Sequence, residues 1–97
     1  MAQHDEVEIK IQGNVDFATA QAYVSRIRAA LQNNMNQITI HLAPDTTISS
    51  AEFIGFLATT AKYMKENKRK LVMKGITGNH KELLKICRLE NFIEIIS

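Results

Sequence analysis

The residues of this chain that could do chemistry are few and far apart. His4, His41 and His80 are separated by long stretches of sequence, and Cys87 is the only cysteine. A single cysteine excludes an internal disulfide and any metal cluster that needs several thiolates. Because the histidines match no metal-ligand spacing, we predict that the protein has no metal site.

Short motifs with a mechanical role in catalysis are absent from the sequence. It has no Gly-x-Gly-x-x-Gly turn, no Gly-Lys-Ser/Thr phosphate loop, no His-Glu-x-x-His helix and no Gly-x-Ser-x-Gly elbow. Cys87 falls on the apolar stripe of a predicted helix, where a free cysteine usually packs as a small hydrophobe. A nucleophile would need a base and an electropositive pocket, which Lys85 and Arg88 do not establish. We predict that the protein is not an enzyme and binds no cofactor.

A hydroxyl-rich stretch over residues 46–50 is the most distinctive local feature. It follows Pro44, which cannot donate to a sheet ladder, and it precedes an apolar pattern with helical spacing. Ser49 and Glu52 match a capping box, in which the two side chains bond to backbone amides at a helix start. Serines at this place have two interpretations, a plain helix cap and a regulatory site, and the residues alone leave both open.

Hydrophobic periodicity predicts the elements that position these residues. Alternation over residues 7–11 predicts a first strand that ends at Gly13, and alternation over 38–42 predicts a second. Between them, apolar residues at helical spacing predict a first helix with Asp16 at its N-cap. A second helix is expected from about Ser50 to Glu66.

The last third of the chain continues the alternation of strands and helices. Residues 71–73 form a short apolar run typical of a buried strand, and Asn79 with Glu82 repeats the spacing of a helix start. Residues 92–96 suggest a last strand or an extended tail. These elements predict an α/β fold, with a mixed, mostly parallel sheet of about four to five strands and amphipathic helices packed on it.

Length and composition predict one domain that folds on its own. A chain of 97 residues, with 45% apolar and 23% charged residues, suffices for one hydrophobic core. We expect residues 1–5, which are polar, to be a disordered extension. The sequence shows no secretory signal and no apolar run of about 18 residues, so we predict a cytoplasmic protein without membrane insertion.

The charge pattern does not favour nucleic acid. The net charge is +2, and most basic residues lie in the second half of the chain. They are spread over two predicted helices and a turn with few aromatic companions, which is typical of a solvated face. We therefore predict no nucleic-acid partner.

Three stretches of the chain match one known family in order and spacing. Residues 13–16, Gly-Asn-Val-Asp, are similar to a Gly-x-Leu/Val-Asp turn before a first helix. Residues 38–53 are similar to a strand, a loop and an Asp-Ser-Ser-Gly-Leu helix start. Residues 71–76, 83–84 and 89–92 are similar to the C-terminal third of the same pattern. The chain thus resembles the STAS domain, the fold of bacterial anti-sigma factor antagonists, as a single domain over residues 1–97.

The resemblance implies a protein-interaction module in a partner-switching pathway. In that family the unmodified protein binds an anti-sigma factor that is also a serine kinase, and the kinase phosphorylates the first serine of the motif. Ser50 corresponds to that serine, with Ser49 as the second candidate. The implied partner-binding residues are Asp16, Thr46, Thr47, Ser49, Ser50, Glu52 and Phe53.

The sequence departs from the family pattern at three places. Ser49 replaces an acidic residue, Glu52 replaces a glycine, and His41 replaces an aspartate of the second strand. These departures motivate a second hypothesis, a non-phosphorylated STAS subunit that regulates a transporter ATPase or another signalling complex. A third hypothesis is a small enzyme or ligand-binding protein that uses Ser49, Ser50 or Cys87, which predicts a concave polar pocket beside them.

Overall fold

A computed structural model describes residues 6–77, 80, 85 and 92–96 of the chain. The helices are α1 (Phe17–Gln32) and α2 (Ala51–Glu66). The strands are β1 (Glu6–Ile11), β2 (Asn14–Val15), β3 (Gln37–Leu42), β4 (Thr47–Ile48), β5 (Lys70–Lys74) and β6 (Ile93–Ile96). The expected extension over 1–5 lies outside the described residues, as do Cys87 and most of the expected third helix.

The strands form two parallel sheets. The larger has the order β1-β3-β5-β6, and the smaller contains β2 and β4. Every strand pairing within the described residues is parallel. The predicted mostly parallel α/β fold is confirmed, and the tail over 92–96 is a strand. The short strands β2 and β4 were not predicted, because two residues are too few to show a period.

The core lies between the larger sheet and the two helices. Ile9, Ile40, Met73 and Ile95 stand opposite one another in the sheet register, and all but the half-buried Ile95 are fully buried. The helices turn apolar side chains onto this face of the sheet. The members on α1 and α2 are Ala20, Ile27, Ala30, Phe53, Leu57, Ala61 and Met64. Neither helix has the length and apolar character of a membrane span, and the search for one covered only the described part of the chain.

Each helix begins at a side-chain cap. The carboxylate of Asp16 accepts a hydrogen bond from the amide of Thr19 at 2.8 Å, which confirms the predicted cap of α1. At α2 the cap is Ser50, whose Oγ accepts from the amide of Phe53 at 3.1 Å. The predicted capping box was therefore misplaced by one residue.

The physical reason for that misplacement is the smaller sheet. The amide of Ser49 donates to the carbonyl of Val15 at 3.0 Å, next to the pairing of β2 and β4. Ser49 therefore belongs to the end of that sheet, and the helix begins one residue later, after Ser50. A capping motif read from spacing alone cannot register this, because the partner Val15 is far away in sequence.

Candidate functional site

The starts of α1 and α2 lie together at the carboxyl end of the sheet. β1 leads through a turn at Gly13 into β2 and α1, and β3 leads through residues 43–46 into β4 and α2. β2 and β4 pair in parallel, with Asn14 opposite Thr47. In open α/β sheets, ligands and partners bind at this edge because the loops that follow the strands gather there.

Asn14 fastens the hydroxyl-rich stretch to the neighbouring strand. Its side-chain oxygen accepts hydrogen bonds from Thr47 Oγ1 at 2.9 Å and from Ser49 Oγ at 3.3 Å. The amide of Thr47 also donates to the carbonyl of Gly13 at 3.0 Å. Thr47 and Ser49 are both exposed, so their hydroxyl groups stand at the surface on a backbone that is held in place.

Thr46 anchors the same stretch from the inside. It is buried, its Oγ1 donates to the carbonyl of Ile11 at 2.9 Å, and its own carbonyl oxygen lies 2.8 Å from Nε2 of His80. Buried polar groups need such partners, because leaving one unpaired costs about 1–3 kcal/mol. Thr46 therefore fixes the position of the stretch and offers no side chain to a partner.

Ser50 is enclosed by its own helix start. The residue is 4% exposed, and its hydroxyl both accepts from the Phe53 amide and donates to Oε1 of Glu52 at 3.4 Å. A phosphate on this oxygen would gain from the positive end of α2. It would also stand against the carboxylate of Glu52, and like charges at this separation repel.

The structure divides the predicted partner-binding residues into two groups. Exposed at the surface are Asp16, Thr47, Ser49 and Glu52. Buried beneath them are Thr46, Ser50 and Phe53. The buried group shapes the surface from below, and the exposed group is what a second molecule could touch.

Phe17 is a surface residue that the sequence patterns did not select. It is the first residue of α1 and is 61% exposed, the largest value among the exposed large hydrophobic side chains of the described residues. With Glu52 and Phe56 it lines a cleft of about 170 Å³ between α1 and α2. Its spacing to Ala20 and Val24 continues the apolar stripe of the helix, which was the available signal. Exposed aromatic side chains of this kind are common anchors of protein interfaces.

Asp16 carries a negative charge beside Phe17. The hydrogen bond from the Thr19 amide lowers the pKa of the Asp16 carboxyl group, because it favours the charged form. The side chain is fully exposed, so its charge is available at the surface. Asp16 thus precedes Phe17 in the sequence, and Glu52 lines the same cleft as Phe17.

The other candidate residues do not meet at this site. His41 lies on the face of the larger sheet that points away from α1 and α2, where its Nδ1 is 3.2 Å from a carboxylate oxygen of Glu8. His80 is buried against Thr46. His4 lies outside the described residues. Across the residues that the structure describes, no group of three histidine, cysteine or acidic side chains could hold a metal ion. The site thus offers recognition groups, an aromatic ring, two carboxylates and two hydroxyls.

Comparison with known proteins places the fold. A family model described as the STAS domain matches residues 1–97. The structure of the Bacillus cell fate determinant SpoIIAA in its phosphorylated form is similar, with a TM-score of 0.74 and 10% identity over 100% of this chain and 87% of that chain. The anti-sigma factor antagonist SpoIIAA in its unphosphorylated form gives a TM-score of 0.74 and 10% identity over 100% of this chain and 84% of that one.

The sequence match and the structural matches support different statements about this chain. Among curated protein sequences, none matches this chain. At 10% identity the SpoIIAA structures show the fold alone. The family model rests on the sequence itself and spans it from end to end, and the parallel sheet with capped helices agrees with it. The chain belongs to the STAS domain family.

Proposed function

We propose that this chain is a cytoplasmic protein-interaction module of the anti-sigma factor antagonist kind, which binds an anti-sigma factor that is also a serine kinase. The partner binds through what we call the docking surface, formed by Asp16, Phe17, Thr47, Ser49 and Glu52. Phosphorylation at Ser50, or at Ser49, releases the partner in this scheme. The proposal rests on the family membership and on the exposure of these five side chains.

The observation that carries the proposal is an exposed aromatic ring next to polar groups that are held in place. Phe17 is 61% exposed, while Thr47 and Ser49 are fixed through Asn14. Interface energy concentrates in such anchors, and groups that are already ordered lose less entropy when a partner binds. The exposed part of the Phe17 ring contributes no burial to the fold and is free to be buried by a partner.

The geometry favours binding over catalysis. The cleft beside Ser50 has a volume of about 170 Å³, which is below the range of about 300–1,000 Å³ that is usual for small-molecule sites. The Ser50 hydroxyl is buried and already accepts a hydrogen bond from the Phe53 amide. Within the described part of the chain, the hydrogen bonds of this hydroxyl are to the Phe53 amide and to Glu52 and not to a histidine, so the enzyme hypothesis has the weaker support.

The test uses two exposed aromatic residues as a matched pair. Phe17 lies on the docking surface, whereas Tyr63, 49% exposed, lies near the opposite end of α2. The tagged chain is used as bait in an extract of its native organism, the recovered protein is identified and purified, and its Kd is measured. We expect Phe17→Ala to weaken binding about tenfold or more, because anchor residues contribute on that scale. Tyr63→Ala should leave the Kd unchanged.

Two outcomes would contradict this proposal. One is a recovered partner that binds Phe17→Ala as well as the unchanged protein, since the docking surface would then lie elsewhere. The other is a partner that is neither an anti-sigma factor nor a kinase.

A second candidate function is favoured by the contact between Ser50 and Glu52. The hydroxyl is buried and lies 3.4 Å from a carboxylate, which opposes phosphorylation. A STAS subunit that regulates a transporter ATPase without phosphorylation would need no access to Ser50. Recovery of such an ATPase, with no phosphate on the chain by mass spectrometry of the native protein, would support this candidate over the first.

A further inference from the structure

His80 is a buried, titratable side chain that the proposed function does not use. It is 7% exposed and has helical backbone conformation. Its Nε2 lies 2.8 Å from the carbonyl oxygen of Thr46. Its Nδ1 lies 3.4 Å from the backbone nitrogen of Thr77 and 3.2 Å from the Thr77 hydroxyl. The ring therefore joins the connection after β5 to the stretch that precedes α2.

The partners of the ring determine its tautomer. A backbone carbonyl can only accept, so the nitrogen that faces Thr46 must carry a hydrogen. A backbone amide can only donate, so the bond from the Thr77 amide requires that Nδ1 carries no hydrogen, and the Thr77 hydroxyl can then donate to Nδ1 as well. The tautomer with its hydrogen on Nε2 is therefore the arrangement that satisfies both backbone neighbours.

Thr46 is fully occupied by such contacts. Its amide donates to the carbonyl of Ala43 at 3.0 Å, its hydroxyl donates to Ile11 and its carbonyl accepts from His80. The bonds to Ala43 and Ile11 come from the β1 and β3 side of the loop. The bond from His80 reaches Thr46 from the region after β5. Thr47, whose hydroxyl belongs to the docking surface, is the next residue.

We propose that His80 is a positioning residue, which holds Thr46 and thereby the segment 46–50 in the conformation that displays Thr47 and Ser49. The structural part of this inference stands on the contacts above. Its consequence for partner binding rests on the proposed function. The inference assigns a role in recognition to a side chain that is itself hidden from the partner.

The test compares two amides as replacements for the imidazole ring. Glutamine places an N–H group near the position of Nε2, so His80→Gln can still donate to Thr46. Asparagine is shorter and reaches only the position of Nδ1, so His80→Asn leaves the Thr46 carbonyl without its donor. The readout is amide hydrogen exchange of the full chain, measured by NMR at Thr47 and Ser49 and, as the internal control, along β3 and β5.

In His80→Asn we expect exchange at Thr47 and Ser49 to accelerate about tenfold, the scale set by one lost buried hydrogen bond. The amides of β3 and β5 should keep their protection, and His80→Gln should resemble the unchanged protein. Equal acceleration at every amide would reduce His80 to a general structural residue. No acceleration at Thr47 and Ser49, or equal behaviour of the two variants, would also overturn the inference.

The unchanged protein provides a second test in case His80→Asn does not fold. Nitrogen-15 spectra of the imidazole ring distinguish a hydrogen on Nε2 from one on Nδ1. A hydrogen on Nε2 supports the inference. A hydrogen on Nδ1 contradicts it, because the ring could not then donate to Thr46.

Partner binding separates failure of this inference from failure of the proposed function. With the partner recovered above, His80→Asn should weaken binding more than His80→Gln does. If Phe17→Ala leaves the Kd unchanged, the docking surface is wrong, yet the exchange and tautomer results still decide the role of His80. If Phe17→Ala weakens binding while both His80 variants bind normally, the positioning role is wrong and the proposed function stands.

Discussion

Two neighbouring serines at the start of α2 have different environments, one in the fold and one at the surface. Ser50 is buried and caps the helix, whereas Ser49 is exposed and bonds to Asn14 of the neighbouring strand. A capping serine contributes about 1 kcal/mol to stability, so its hydroxyl has a role in the fold without any modification. Phosphorylation of Ser50 would give this capping residue a second, regulatory role. We expect the nearby carboxylate of Glu52 to determine how readily Ser50 is phosphorylated.

Removing the carboxylate of Glu52 should make Ser50 a better phosphate acceptor. Glu52→Gln takes away the charge that lies 3.4 Å from Ser50 Oγ and keeps the size of the side chain. With the recovered kinase and ATP, we expect the rate of phosphate incorporation at Ser50 to rise about tenfold, since a close like charge is lost. Glu66→Gln, at the far end of α2, is the control and should change nothing.

This prediction is tested by finding which serine carries the incorporated phosphate. Peptide mass spectrometry locates the phosphate, and Ser50→Ala and Ser49→Ala identify the acceptor independently. An unchanged rate in Glu52→Gln would show that the carboxylate does not restrain the reaction, and incorporation at Ser49 alone would move the regulatory residue to the exposed serine.

Asp16 should make the stability of the protein depend on pH in the acidic range. Its pKa is lowered in the folded state by the Thr19 amide, so the folded form binds a proton less readily than the unfolded form. Its contribution is fully present above the unfolded pKa of about 3.9 and is lost as pH falls through the folded value. Asp16→Asn keeps a capping oxygen but cannot titrate there.

The measurement is the free energy of unfolding of both proteins between about pH 7 and pH 2, a range that brackets the unfolded carboxyl pKa. The difference between them should be constant near neutral pH and should move against the unchanged protein below about pH 4. A difference that stays constant down to pH 2 would show that the cap does not favour the charged carboxyl group.

At the scale of elements, two places where backbone segments lie close together shape the edge of the sheet that carries the site. The smaller sheet joins β2 to β4 and brings the starts of α1 and α2 together. After β5, the chain turns at Gly75 with a φ of +80°, close to the carbonyl oxygen of Leu42 at the end of β3. This turn precedes Thr77, which contacts the His80 ring, so we expect it to help place the ring against Thr46.

The same substitution at two glycines should have opposite effects. A Cβ atom at Gly75 would collide with the Leu42 carbonyl oxygen, and its φ is unfavourable for any other residue. Gly75→Ala should therefore lower the free energy of unfolding by about 1–3 kcal/mol, the cost of a strained backbone position. Gly55, inside α2, has open space around it, so Gly55→Ala should raise stability by about 0.5–1 kcal/mol.

Urea unfolding of the two variants checks this pair. A Gly75→Ala variant as stable as the unchanged protein would mean that the turn after β5 can relax. In that case the turn would not fix the route to His80, and the hydrogen-exchange test of that residue would become the deciding one.

At the scale of the whole molecule, α1 and α2 cover one face of the parallel sheet, and the other face carries both charged side chains and the buried side chains of Thr39 and Val72. Parallel sheets usually bury both faces, and their strands then read as unbroken apolar runs. Here the face away from the helices has ion pairs between Glu8 and His41 and between Lys70 and Glu94. β1 stands at the end of the strand order and alternates apolar with polar residues, whereas the inner strand β5 has the unbroken buried run Leu71, Val72 and Met73.

Phe53 shows how the core constrains the site. It was predicted to touch the partner, yet it is 1% exposed and packs within the core, with its ring 6.3 Å from that of Tyr23. We expect Phe53→Ala to lower the free energy of unfolding by about 3–5 kcal/mol, because it leaves a cavity. Of a total of about 5–15 kcal/mol for a domain, that is a large share.

Chemical unfolding, with the Kd of the folded fraction measured alongside, separates the two roles of Phe53. A large loss of stability with little change in the Kd per folded molecule fits a core residue. A loss of affinity without a loss of stability would instead make Phe53 a partner-binding residue, as the family resemblance implies.

The sequence by itself determined the type and order of the long elements and the caps of both helices to within about one residue. Strands β1, β3 and β5, helices α1 and α2 and the cap at Asp16 follow from periodicity and local hydrogen-bonding chemistry. These are short-range effects, so residues close together in the chain suffice to predict them. The resemblance of the motifs to the STAS family was confirmed by the family model.

Only the tertiary structure decided which hydroxyls face outward and which residues join them. The pairing of β2 with β4 moved the cap from Ser49 to Ser50, and the contact of His80 with Thr46 joins the region after β5 to the stretch before α2. The exposure of Phe17 likewise depends on where the helices end relative to the sheet. Each of these depends on contacts between residues more than thirty positions apart or on the ends of packed elements, which local periodicity does not record.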